Sequence, residues 1–127
     1  MELYAKEVII DSILEIIQPN ERAIAIFTTH DEWASNLQIN NDGNGFTGDW
    51  VIRANPKADI IVIYHRTAHT NDIYKASITT IDGPLKAYFT KNRYRINFTN
   101  CMHKGTTTST WSEFARCGAN PVRYIKA

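Results

Sequence analysis

"ADIIVIYHR", residues 58–66, is the stretch on which the fold turns. Ile60 to Tyr64 are apolar without a break, β-branched for the most part, and too short a run for a helix. A strand of that kind is buried on both faces and belongs in the middle of a sheet. Its neighbours in sequence read as strands too. "AIAIF" (23–27) is a short apolar run, and "WVIR" (50–53) follows a turn-rich loop over residues 40–48, "NNDGNGFTG". "DIYKASITTID" (72–82) alternates, with Tyr74, Ala76 and Ile78 on one face and Lys75, Ser77 and Thr79 on the other. "RYRINF" (93–98) sets Tyr94, Ile96 and Phe98 inward and Arg95 and Asn97 outward, and "NPVRYI" (120–125) is a last strand.

Helices are expected at three places. Leu3, Ile9, Ile10, Ile13, Leu14, Ile16 and Ile17 make a broad apolar face over residues 3–17, ended by "QPNE" because Pro19 disfavours helix in the residue before it. Thr29 with Glu32 fits a capping box for a short helix from His30 to about Leu37. Thr110 with Glu113 fits another in "TTTSTWSEFARCG" (106–118), with Gly118 where a C-terminal cap belongs. Several strand connections are too short for parallel crossovers. The expected class is therefore α+β: a small mixed, mostly antiparallel β-barrel with flanking helices. It forms a single domain over residues 1–127, an N-terminal helical segment to residue 20 and a barrel over 22–126.

The bulk numbers agree with one folded domain. The chain has 127 residues, 43% hydrophobic and 21% charged, which is ample for a core and argues against disorder. No apolar run approaches the roughly 20 residues that cross a bilayer. The acidic N-terminal stretch lacks a basic leader, so a cytoplasmic protein with no membrane partner is expected. Cys101 and Cys117 fit neither a disulfide scaffold nor a zinc pattern and read as reduced thiols.

The net charge of +1 conceals a segregation. Residues 1–49 hold two bases and nine acids, while residues 50–127 hold twelve bases and four acids. Between Gly83 and Ser112 lie Lys86, Lys91, Arg93, Arg95 and Lys104 and no acid. Such asymmetry fits a surface that meets a polyanion, unless the fold interleaves the two halves and the field cancels.

Catalytic motifs are missing: there is no GxSxG elbow, HExxH, P-loop or GxGxxG. His65 and His69 are four apart, a ligand spacing only on a helix, and here they leave a strand; no metal site or cofactor is expected. An acid/base nuclease using His30 or His65 with Arg66 stays open as an alternative. Aromatic residues interleave with the bases of the second half, as single-stranded or flipped-base recognition requires. Trp111 and Phe114, three apart on a helix, and Tyr94 and Phe98 read as core. Trp50, which opens a strand straight after a loop, is either core or the rim of a pocket. Tyr64 ends the central strand with its hydroxyl near a pocket, and Thr28, Thr29 and His30 offer short polar groups beside it.

The order "AIAIFTTH", "GDWVI", "ADIIVIYHR", "IYKASITTID", "NRYRINF" resembles the PUA-like superfamily, in particular its EVE and YTH branches. The resemblance covers roughly residues 22–126 and is one of pattern. It implies a small β-barrel that recognises a modified base in DNA or RNA by enclosing it in an aromatic pocket, without catalysis. Carried over, Trp50 is a cage wall and Thr28 and Thr29 contact the base. Tyr64 lies beside the pocket, Trp111 is a poorly matched second wall, and His30 joins the base contacts from the reading of the first strand's end rather than from the resemblance. Lys91, Arg93, Arg95 and Lys104 would meet phosphates. The leading helix and the short "RANPKA" (53–58) depart from the family's pattern. Besides the nuclease, a small-ligand or protein-interaction module forming a homodimer through the N-terminal helix is the remaining alternative.

Overall fold

The computed structural model of the chain describes residues 8–30, 36–52, 57–85 and 93–126. Their strands are β1 (Arg22–Thr29), β2 (Leu37–Ile39), β3 (Gly45–Val51), β4 (Ile60–Arg66), β5 (Asn71–Asp82), β6 (Arg93–Thr106) and β7 (Val122–Lys126), with one short helix, α1 (Trp111–Ala115), before β7. They form one mixed seven-stranded sheet in the order β2-β3-β6-β5-β4-β1-β7.

The pairing of β4 and β1, next to the edge strand β7, joins the two most apolar runs in parallel, from Ala23 opposite Ile60 to Thr29 opposite Arg66. The other strand pairs are antiparallel. Because side chains alternate along a strand, β1 and β4 feed two cores, one on each face of the sheet. One face gathers Ala23, Ala25, Val62, Tyr64 and Ile73 beneath Ile10, Ile13 and the α1 residues Trp111, Phe114 and Ala115. The other gathers Ile24, Ile26, Ile61 and Ile63 with Trp50, Tyr94, Ile96 and Phe98 from β3 and β6. Tyr74, Ala76 and Ile78 of β5 share that second face, and Lys75 turns to the first, where it pairs with Glu21 at 2.7 Å. Burial alone would raise the Glu21 carboxyl, but the Lys75 ammonium and the Gln18 amide hold it below the ordinary range.

The mixed, mostly antiparallel β-rich fold agrees with the sequence, and four local expectations are corrected. First, residues 8–17 of the expected first helix carry only a 3-10 turn at Ile13–Glu15, with a Ser12 capping box; residues 3–7 lie outside the described residues. Ile9 instead makes a parallel bridge to Thr106, and the apolar face is split, with Ile10 and Ile13 buried and Val8, Ile9 and Leu14 exposed. Second, His30 is in a β-bridge and Leu37 opens β2, so the expected 30–37 helix fails at both described ends, residues 31–35 being outside the description. Third, the turn-rich loop stops at Asn44, and β3 begins at Gly45 rather than at Trp50. Fourth, the expected helix before β7 is short, and its C-cap is Arg116, in the left-handed conformation (φ 57°), not Gly118. With α1 the sole α-helix among the described residues, the flanking-helix part of the expected class is not met.

Gly45 is fixed by close approach. A Cβ there would lie 2.1 Å from the Gln38 carbonyl and 2.8 Å from the Phe98 ring, so β2 could not pair with β3. Gly45→Ala is expected to cost about 1–3 kcal/mol in urea unfolding and to loosen β2. Gly118→Ala, with nothing within 4 Å of its added carbon, should stay within about 0.5 kcal/mol of the parent.

Candidate functional site

Strand alternation divides the residues singled out from sequence. Thr28 and Thr29 are neighbours and so face opposite sides of the sheet. Thr28 is fully buried on the Trp50 side. Its Oγ1 lies 2.6 Å from His65 Nδ1 and 3.4 Å from the Tyr64 carbonyl oxygen. Tyr64 and Thr29 face the α1 side. Tyr64 is buried in that core and donates its hydroxyl to the Ser109 carbonyl at 2.6 Å. Trp50 is a core residue at 8% exposure, opposite Tyr94, and its Nε1 donates to Thr47 Oγ1 at 3.0 Å. The five expected base contacts therefore do not converge on one pocket.

A pocket does open on the α1 side, at the carboxyl ends of β1 and β4. Its volume is about 380 Å³, within the range of small-ligand sites. Phe27, Tyr64 and Trp111 line it, with Arg66, Asn71 and the 108–112 segment at its mouth. The aromatic walls brace one another. Phe27 and Trp111 stack with centroids 5.6 Å apart, and Tyr64 sits edge-on to both. The exposed Arg66 lies over the Phe27 ring, 5.3 Å from its centroid. The roof is held by the Tyr64–Ser109 bond, by Thr107 Oγ1 accepting from the Ser109 amide, and by the Thr110–Glu113 capping box. Burial raises the Tyr64 phenol, keeping it a neutral donor.

Phe27 and Arg66 were not picked from the sequence as base contacts. The clue was there: in a parallel pair, Phe27 stands opposite Tyr64 and Thr29 opposite Arg66, all with the same side-chain parity. It becomes readable only once the β1–β4 register is known. Trp111, the poorly matched second wall, lines this pocket, and Trp50 does not.

Three of the four histidines, His30, His65 and His103, gather on the opposite face. His30 and His65 are edge to face at 6.2 Å between ring centroids, and Asp72, paired across from His65, holds His103 Nε2 at 3.0 Å. Burial and then the His30 charge push His65 below the usual histidine range, opposed by Asp72. No group of three or more His, Cys, Asp or Glu among the described residues is arranged to hold a metal ion. Both cysteines are free, and burial pushes the Cys101 thiol up to about 11.

Of the expected phosphate contacts, Arg93 donates to the Asp49 carbonyl at 3.0 Å. Arg95 is exposed, with its guanidinium 4.7 Å from the Phe46 ring centroid. Lys104 is half-buried farther along β6, and Lys91 lies outside the described residues.

Two measurements test these placements. Trp50→Ala should cost about 3–5 kcal/mol of stability as a core truncation. Trp50→Phe, which removes chiefly the bond to Thr47, should cost about 1 kcal/mol for that bond plus a smaller packing loss. For His65, the unfolded chain takes up a proton that the fold resists. Stability should therefore fall as pH drops through the unfolded histidine value near 6.5 and level off below the folded one. Urea unfolding between about pH 7.5 and 5.5 should show this slope, flattened in His65→Gln.

No protein-family model matches the chain, and no curated protein or solved structure matches it either.

Proposed function

We propose that the chain is a non-enzymatic nucleic-acid-binding domain of PUA-like kind, its sheet curled toward a barrel. It takes a flipped or modified base into the pocket walled by Phe27, Tyr64 and Trp111. The observation that carries this reading is an aromatic pocket of about 380 Å³ with a guanidinium at its mouth. Aromatic faces stack on a base, and the neighbouring Arg66 supplies a cation for the flanking phosphate. Extruding a base costs a few kcal/mol, which stacking and hydrogen bonds to Asn71 and the 108–112 segment must offset. The basic second half of the chain, with Arg93 and Arg95 on one face of β6, supports a polyanionic partner.

A second reading is favoured by one observation, the approach of His30 to His65. An imidazole held neutral beside a second one suits general acid/base cleavage of RNA. Hydrolysis of a generic RNA that is lost in His65→Ala would place it ahead.

For the leading reading, a panel of oligonucleotides with and without methylated bases is titrated at low salt, following tryptophan fluorescence. Binding is expected, weakening steeply with salt. Arg66→Ala, which alters an exposed side chain, should weaken it by about tenfold with no loss of stability. If no oligonucleotide binds at low salt, the reading fails.

A further inference from the structure

The carboxyl ends of β1 and β4 carry a second group of side chains, back to back with the Phe27 pocket. Alternation sends Thr28, His30 and His65 to the face away from α1. Arg66, next in sequence to His65, goes to the α1 face, where it lies over Phe27.

Thr28 fixes the His65 ring. The buried hydroxyl has two acceptors in reach, His65 Nδ1 at 2.6 Å and the Tyr64 carbonyl at 3.4 Å. The nearer one takes its proton while His65 is neutral, so the ring's own N–H sits at Nε2. When His65 gains a proton, the bond reverses. Nδ1–H then donates to Thr28 Oγ1, and the hydroxyl turns its proton to the Tyr64 carbonyl. Nε2–H is a donor in both charge states. It is also open: exposed residues aside, the one buried side-chain polar atom without a partner among the described residues is Asn36 Oδ1, beside β2. His65 Nε2, which makes no hydrogen bond, therefore reaches solvent.

His30 is exposed and brings a second imidazole, 6.2 Å from the first between ring centroids. Two cations so close repel. After burial, the His30 charge is what holds His65 below the usual histidine range, with Asp72 opposing both. Asp72 faces His65 from β5, but its carboxylate is already engaged. Oδ1 lies 3.0 Å from His103 Nε2, and Oδ2 accepts from Thr70 Oγ1 at 3.0 Å. Tyr74, farther along β5, sets its ring edge-on to His103. Once protonated, the His30–His65 pair is left without a close counter-charge of its own. An anion between the rings relieves their repulsion, and a tetrahedral one offers a separate oxygen to each N–H donor.

We propose that His30 and His65 form an acid-gated site for a tetrahedral oxyanion of the phosphate class, on the face of the sheet opposite the Phe27 pocket. Thr28 is its positioning residue: it holds the His65 ring with Nε2–H outward whether or not the ring is charged. Affinity rises as pH falls, because imidazoles gain their charge through the histidine range. The site does not depend on the Phe27 pocket binding anything.

The test titrates the full chain with sulfate, whose charge is constant across the histidine range, against sodium chloride at equal ionic strength. Imidazole proton and nitrogen shifts report binding. Sulfate should bind at least about tenfold more tightly near pH 5.5 than near pH 7.5. By reciprocity it should also raise the His65 titration midpoint beyond the effect of chloride. His65→Gln should abolish binding. His30→Gln, which alters an exposed side chain, should weaken it by about tenfold and carries the test if His65→Gln does not fold. Arg66→Ala should leave it in place. A second arm uses an abasic phosphodiester oligomer. Binding with the same pH dependence assigns the site to backbone phosphate, and sulfate binding without it assigns the site to a free oxyanion. A His65 midpoint that sulfate moves no more than chloride does would overturn the proposal. So would an affinity that is flat with pH, or one that survives His30→Gln unchanged. Either result leaves the oligonucleotide titrations of the Phe27 pocket standing.

Discussion

The pairing of β1 with β4 is the constraint from which the rest of the structure follows. Two strands that are apolar on both sides lie parallel inside the sheet, between β5 and β7, so neither face can be left to water. One face is covered by Ile10, Ile13 and α1. The other gains the large side chains of β3 and β6, Trp50, Tyr94 and Phe98. A parallel pair also brings two carboxyl ends to the same edge. Phe27, Thr28 and Thr29 thereby come beside Tyr64, His65 and Arg66, with aromatic and cationic groups on one face and imidazoles on the other. Residues nearly forty positions apart in sequence are brought side by side through that register alone.

Much of the strand content was legible because period-two alternation is a local signal. Tyr74, Ala76 and Ile78, and Tyr94, Ile96 and Phe98, lie on the faces their spacing assigned, and the Thr110–Glu113 capping box starts α1. What failed were patterns whose meaning depends on distant partners. The isoleucines of residues 9–17 fit a helical stripe, yet Ile9 bonds to β6 and the segment lies on the sheet as a strap with one 3-10 turn. Gly45, Phe46 and Thr47 read as loop because of their company, but pairing with β6 makes them strand.

The candidate sites were legible in kind rather than in place. Of the aromatic residues singled out, Tyr64 and Trp111 line a pocket. The choice of Trp50 over Phe27 followed from position next to a flexible loop, a cue that says nothing about which face of the sheet a side chain takes. Thr28 and Thr29 could not both serve one pocket, for a strand sends adjacent residues to opposite sides. The unpaired Asn36 side-chain Oδ1 had no signature at all, since satisfaction of a hydrogen bond is a property of the folded surroundings.

The bond from the Trp50 indole to Thr47 has an evolutionary consequence. A core position filled only for volume can drift among Phe, Leu and Met with its neighbours adjusting. Position 50 cannot drift so freely, because its N–H reaches through Thr47 to the Asn36 backbone, where β2 begins. Selection for a filled core and selection for the placement of β2 would fall on the same codon, and a screen that scored either trait would return the same tryptophan.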